Sequence, residues 1–276
     1  KNNSLKEKPK VVVSIPPYIS IIKSIAGDTV SVESVVPKNF DPHTMEITPL
    51  QRKLIQKANL FIGIGETYEA KLLSTLINEN KELSVLQLNE HLPLLTPMQE
   101  KNMDSMEHNH GDHTHHHHSH DLHFWLSPSL LPLQISLISE SLSKLNPNLS
   151  ETYTQNSKNL IDEVNQLHKT LSTELKPYYG KALLVPHAAL GYFCHDYGLI
   201  QIAVEFEGKS PLPNDLNQIL NITKSSDVLC GLIFPQFNNK GLKIIANALS
   251  IRTIQFNPLS ENLIENIRQL GQDIID

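Results

Sequence analysis

Histidine is the residue type whose number and placement in this chain could do chemistry. Fourteen histidines fall into two populations. Nine lie between His108 and His123, and five are scattered: His43, His91, His168, His187 and His195. Neutral imidazole is a nitrogen donor suited to zinc, copper and nickel. Three imidazoles arriving from different segments make most of a tetrahedral shell. His43 stands in NFDPHTMEITP, His123 in DLHFWLSP and His187 in LLVPHAALGYF. Asp41 and Asp121 are close enough in sequence to orient such rings from behind. The bland alternative is that a lone histidine beside a strand is a hydrogen-bonded structural residue. His168, near the apolar stripe of a long helical pattern, and His195, which follows Cys194 in a helix, read that way. His91 has no informative context.

The clustered population has a different character. His108, His110, His113, His115, His116, His117, His118 and His120 sit in a polar, non-periodic segment over 98–121, beside Asp112 and Asp121. Such a tract offers many shifting pairs of imidazoles, so weak auxiliary metal sites are expected there. The expected role is collecting or sensing metal near a tighter site. The competing reading is a solvated spacer.

The elements that must position these residues follow from hydrophobic periodicity. Apolar runs at 10–15 (KVVVSI), 30–36, 60–65 (LFIGIG) and 83–88 read as strands, with helices at 18–26, 49–58 and 69–77 between them. After the polar segment, 129–145 is helical. A longer stripe then runs through Tyr153, Leu160, Val164, Leu167, Leu171 and Leu175, opened by Asn146-Pro147 and closed by Pro177. The alternation resumes with strands at 182–185, 199–205, 228–234 and 251–256 and helices at 190–197, 212–224, 242–249 and 261–275. Strands alternating with helices of about ten residues indicate parallel sheets. The expected fold is therefore α/β: an N-terminal lobe over 1–146, a linking helix over 147–176 and a C-terminal lobe over 177–276. His43 and His187 both follow strands, and in open parallel sheets ligands bind beyond the carboxyl ends of strands.

Bulk properties exclude several classes. The chain has 276 residues, 39% hydrophobic and 19% charged, with a formal net charge of -6. No basic stripe suggests a nucleic-acid partner. No apolar run approaches the roughly 20 residues that cross a bilayer. The chain starts at Lys1, and its polar first ten residues read as a tether, so a removed leader is expected. Its two cysteines, Cys194 and Cys230, lack CxxC spacing; one bridge between them is possible, and two buried free thiols is the preferred reading. Three histidines and a water also form catalytic zinc sites, yet the sequence holds no HExxH, GxSxG or P-loop motif. A zinc hydrolase and an adhesin-like or storage surface protein are the alternatives to a binding protein.

Four segments also carry a family resemblance. FDPHTMEITP, DLHFWLSP, PHAALGYFCHDYGL and FPQFNNK, in that order, resemble motifs of the ZnuA-like metal-binding components of zinc- and manganese-type ABC importers. The resemblance implies two α/β lobes on a rigid helix, no enzymatic activity, and His43, His123 and His187 as metal ligands. It implies a monomer outside the cytoplasm, free in the periplasm or lipid-anchored, that hands its ion to a membrane permease. Leu122 and Ser127 depart from the family's second motif. Where members often carry a carboxylate fourth ligand, this chain has Asn257, a neutral carbonyl donor. Water, Asp41 or Glu66 are the other candidates for that position. A nitrogen-rich shell favours zinc over manganese or ferrous iron, which prefer oxygen.

Overall fold

The computed structural model describes residues 7–96, 120–205 and 211–276. His108, His110, His113, His115, His116, His117 and His118 fall outside the described residues. The first half contains β1 (Lys10–Val13), α1 (Pro17–Ala26), β2 (Ser31–Ser34), α2 (Pro49–Gln56), β3 (Leu60–Gly63), α3 (Thr67–Glu79) and β4 (Ser84–Gln87). Two helices follow, α4 (Leu131–Leu145) and α5 (Ser150–Glu174). The second half contains β5 (Ala182–Val185), α6 (Gly191–Tyr197), β6 (Ile200–Ala203), α7 (Pro213–Lys224), β7 (Val228–Ile233), α8 (Lys240–Ala248), β8 (Thr253–Gln255) and α9 (Leu263–Ile275).

The strands form two parallel four-stranded sheets, ordered β2-β1-β3-β4 and β6-β5-β7-β8. The two orders are the same pattern used twice. The central strands explain themselves: LFIG of β3 and ALLV of β5 are buried at every position. Continuous apolar runs are what a parallel strand covered on both faces requires. Each sheet therefore presents its carboxyl edge, with the loops that follow its strands, as the surface free to carry a site.

Helix α5 is the longest element, and its 25 residues span about 37 Å at 1.5 Å per residue. Tyr153, Ser157, Leu160, Val164, Leu167 and Leu171 form its buried stripe. It packs on α4, α1, α9 and α6, and so touches helices from both halves of the chain. Short 3-10 turns at Pro147–Leu149 and Lys176–Tyr178 take up the residues on either side of it. Apolar packing is continuous from Val11 and Ile62 through Leu142 and Leu167 to Leu183 and Phe234. A smaller cluster around Leu184, Ile219 and Leu242 backs the second sheet. Polar ties cross the same region. Trp125 Nε1 donates to the Pro258 carbonyl at 2.8 Å. Tyr18 Oη donates to Gln134 Oε1 at 2.8 Å, and Gln134 Nε2 donates to the Phe124 carbonyl at 3.1 Å. The two sheets thus share one core. Cys194 and Cys230 are free and buried, and burial lifts the Cys230 thiol to about 11.

Candidate metal centre

Three segments, widely separated in sequence, deliver three imidazoles to one point. His43 follows β2 in a short 3-10 turn, Pro42–Thr44, whose start is capped by Asp41 Oδ1 accepting from the His43 amide at 2.9 Å. His123 directly precedes the 3-10 turn Phe124–Leu126, whose three side chains are all buried. His187 stands two residues past the end of β5. The Nε2 atoms form a near-equilateral triangle, with edges of 3.2 Å (His43 to His123), 3.1 Å (His43 to His187) and 3.1 Å (His123 to His187). Zinc bound at 2.0–2.1 Å in a tetrahedral shell places its ligand atoms about 3.3 Å apart, so the triangle is close to the required size. These three histidines form a metal-type cluster among the described residues.

Each ring is backed by a carboxylate. His123 Nδ1 lies 2.7 Å from Asp121 Oδ1, in hydrogen-bond geometry. His43 Nδ1 lies 3.0 Å from Glu66 Oε1, and His187 Nδ1 lies 2.5 Å from Glu205 Oε1. Those last two contacts have the distance of a hydrogen bond but a bent approach. A carboxylate at Nδ1 holds the proton there and turns the Nε2 lone pair inward. Three lone pairs aimed at one another repel unless a cation stands between them. That is the chemistry of a metal seat.

The charges follow the same arrangement. For His43, burial favours the neutral ring, but the hydrogen bond and charge of Glu66, with Asp41 and Glu205 behind, outweigh it and raise the pKa. Burial opposes ionisation of Glu66, Asp121 and Glu205, yet the facing imidazoles hold each carboxyl below its ordinary value. His187 is pushed the other way, below the ordinary histidine value, by burial and by its neighbours His123 and His43 against the pull of Glu205. A neutral His187 beside an ionised Glu205 satisfies both directions.

The loop geometry that supports the seat is also visible. Gly65, at φ 94, turns the chain after β3 so that Glu66 points at His43. Buried Glu69 fixes that turn by accepting from the amides of Ile64 (3.1 Å) and Gly65 (2.9 Å) and from Ser14 Oγ (2.5 Å). Phe237 stacks flat on His187, ring centroids 4.4 Å apart. His43 is 31% exposed while His123 and His187 are buried, so access is from the His43 side. There a groove runs between the segment around Pro42 and Thr48 and helix α3.

The sequence-based expectations meet this geometry unevenly. His43, His123 and His187 are brought together. Asp121 backs its ring as expected, but Asp41 caps a main-chain amide, and the carboxylate on the His43 ring is Glu66. Glu205 has no role in the sequence reading, and Phe237 enters it only as part of the FPQFNNK motif, without a role. Glu205 lies just past a strand, so the carboxyl-edge rule that selected His187 applies to it as well. Asn257 Oδ1 accepts from Gln236 Nε2 at 2.6 Å and from the Leu259 amide at 2.9 Å. His168 Nδ1 faces Tyr197 Oη at 3.1 Å, a structural contact between α5 and α6. His91, His120 and His195 are exposed.

Two parallel sheets on one rigid helix, with imidazoles converging at their carboxyl edges, define a metal-capturing binding protein. A family model described as "Zinc-uptake complex component A periplasmic" matches residues 11–274, and the chain belongs to this ZnuA family of metal-binding components of ABC uptake systems. The family consists of extracytoplasmic substrate-binding proteins, not enzymes. A putative metal-binding protein of Chlamydia muridarum is 26% identical over 275 residues, covering 99% of this chain and 93% of its own. The high-affinity zinc uptake system protein ZnuA of Yersinia pestis is 28% identical over 274 residues, with 92% and 84% covered. A crystal structure of ZnuA superposes with a TM-score of 0.85 at 27% identity and covers 98% of each chain.

Proposed function

We propose that this protein captures zinc outside the cytoplasm on His43, His123 and His187 and passes it to the permease of an ABC importer. The observation that carries the reading is the Nε2 triangle, 3.1–3.2 Å on a side, with a carboxylate behind each ring. Three nitrogen donors at tetrahedral spacing suit zinc, and manganese or ferrous iron would call for more oxygen. The zinc-uptake names of the family and of the Yersinia pestis relative support the same cargo. Water entering from the His43 side supplies the fourth ligand. Asn257 would have to break both of its hydrogen bonds to take that place. The protein works as a monomer, periplasmic or held at the membrane by a lipid, with lobes 1–146 and 177–276 on the helix 147–176. The histidines from His108 to His120 act as weaker auxiliary sites that feed the seat.

The test is zinc titration against a competing chelator, with metal analysis of protein as isolated from its host. One tight zinc is expected per chain. His43→Ala, His123→Ala and His187→Ala should each weaken it by about a hundredfold or more, because each removes one of the three nitrogen donors of the shell. Tight binding retained in all three variants sinks the assignment. Native protein carrying manganese would move the cargo to the alternative reading.

A further inference from the structure

Gly191 opens α6, where a residue with a side chain would favour helix more than glycine does. Its backbone does not demand glycine either, since it is not among the residues at positive φ. Space is what demands it. A Cβ placed on Gly191 would stand 2.6 Å from Oδ2 of Asp121, and the next heavy atoms it meets are at 3.9 Å. The carboxylate that backs His123 occupies the volume a side chain at 191 would fill.

Asp121 has no easy retreat. Its amide donates to the Leu95 carbonyl at 2.9 Å, and its own carbonyl accepts from Tyr192 Oη at 2.6 Å. Tyr192 Oη in turn accepts from the Leu95 amide at 2.9 Å, which closes a small knot around the Asp121 main chain. Oδ1 accepts from both the amide (2.9 Å) and the ring Nδ1 (2.7 Å) of His123. With the main chain pinned, a group added at 191 is accommodated only by rotating the carboxylate, and that rotation carries Oδ1 away from the imidazole.

We propose that Gly191 is a positioning residue for the metal centre: its missing side chain leaves the seat in which Asp121 orients His123. The proposal rests on the reading of His123 as a ligand for its consequence in binding, but the orientation itself can be read without metal. Loss of a group that orients a ligating histidine costs about 10–100-fold in affinity, and that range is the expectation here.

The experiment compares wild type, Gly191→Ala, Asp121→Ala and the double variant. In metal-free protein, nitrogen NMR of the His123 ring should show the single Nδ1–H tautomer in wild type and a tautomer mixture in both single variants. Zinc titration should show Gly191→Ala weakened by about 10–100-fold. In the Asp121→Ala background, Gly191→Ala should add nothing, since the clash and the carboxylate are both gone; that background also restores folding if the single variant is impaired. Wild-type His123 tautomer and affinity in Gly191→Ala overturn the proposal, as does an equal loss in the presence and absence of Asp121. Wild type that shows the tautomer effect but binds zinc weakly would break the zinc reading and leave the positioning role of Gly191 standing.

Discussion

At the scale of the residue, the centre is a contest between protons and metal for the same nitrogens. A ligating imidazole must be neutral at Nε2, so binding weakens as pH falls. His43 is held above the ordinary histidine value of about 6.5 by Glu66. Proton competition at His43 therefore sets in at higher pH than for an ordinary histidine, and zinc affinity should decline earlier on acidification than an unshifted ring would give. Glu66→Gln removes the charge that raises His43, so its pKa falls. The variant should bind zinc about tenfold more weakly at pH 8 yet lose less of its affinity on acidification. Titrations at pH 8, 7 and 6 check both signs, and a parallel pH profile in the two proteins would falsify the role of Glu66. Stability of the metal-free protein follows the same directions. The His43–Glu66 pair stabilises below the unfolded histidine value, and that contribution is lost as pH rises through the raised folded value. His187, with a lowered value, works oppositely and disfavours the fold as acid protonates it.

At the scale of the element, helix α5 sets the distance between the sheets and resists bending. Its stripe was legible because leucine, valine and tyrosine recur at steps of three, four and seven residues. Strands β3 and β5 were legible because each is a short apolar run bounded by turn residues. Strand β5 spans the predicted 182–185, while β3 ends at Gly63, two residues short of the predicted 65, because Ile64 and Gly65 continue into a turn with no ladder partner. The role of α5 can be tested at Asn165, which is exposed on its outer side. Asn165→Pro removes an intrahelical hydrogen bond and crowds the preceding turn, a loss of about 3 kcal/mol or more in chemical denaturation. Asn165→Ala should stay within about 0.5 kcal/mol of wild type. Similar losses from the two substitutions would mean that the rod is not continuous there.

At the scale of the whole molecule, the shared core argues against a wide hinge. Trp125 reaches across to Pro258, and Tyr192 Oη donates to the Asp121 carbonyl, so opening the lobes would break these hydrogen bonds as well as apolar packing. Zinc should therefore leave the radius of gyration nearly unchanged in small-angle scattering, while raising thermal stability. At a free zinc concentration 100 times Kd the gain is about 2.7 kcal/mol. A large compaction on zinc addition would contradict a rigid frame. The exposed edge of His43 is the place where small loop movement can admit or release the ion.

By itself the sequence determined the alternation of strands and helices, the long helix, and the positions of His43 and His187 after strands, because periodicity and strand-end position are local properties; His123 was marked by its family-like motif. It also marked Asp121, two residues from the ring it serves. What it could not determine was which distant carboxylate reaches which ring. Asp41 is near His43 in sequence, yet the turn at Pro42 spends it on a main-chain amide, and Glu66 arrives from the end of another strand. Glu205 and the flat face of Phe237 meet His187 for the same reason: neighbours at the carboxyl edge of a parallel sheet are chosen by strand order, which only the folded chain decides.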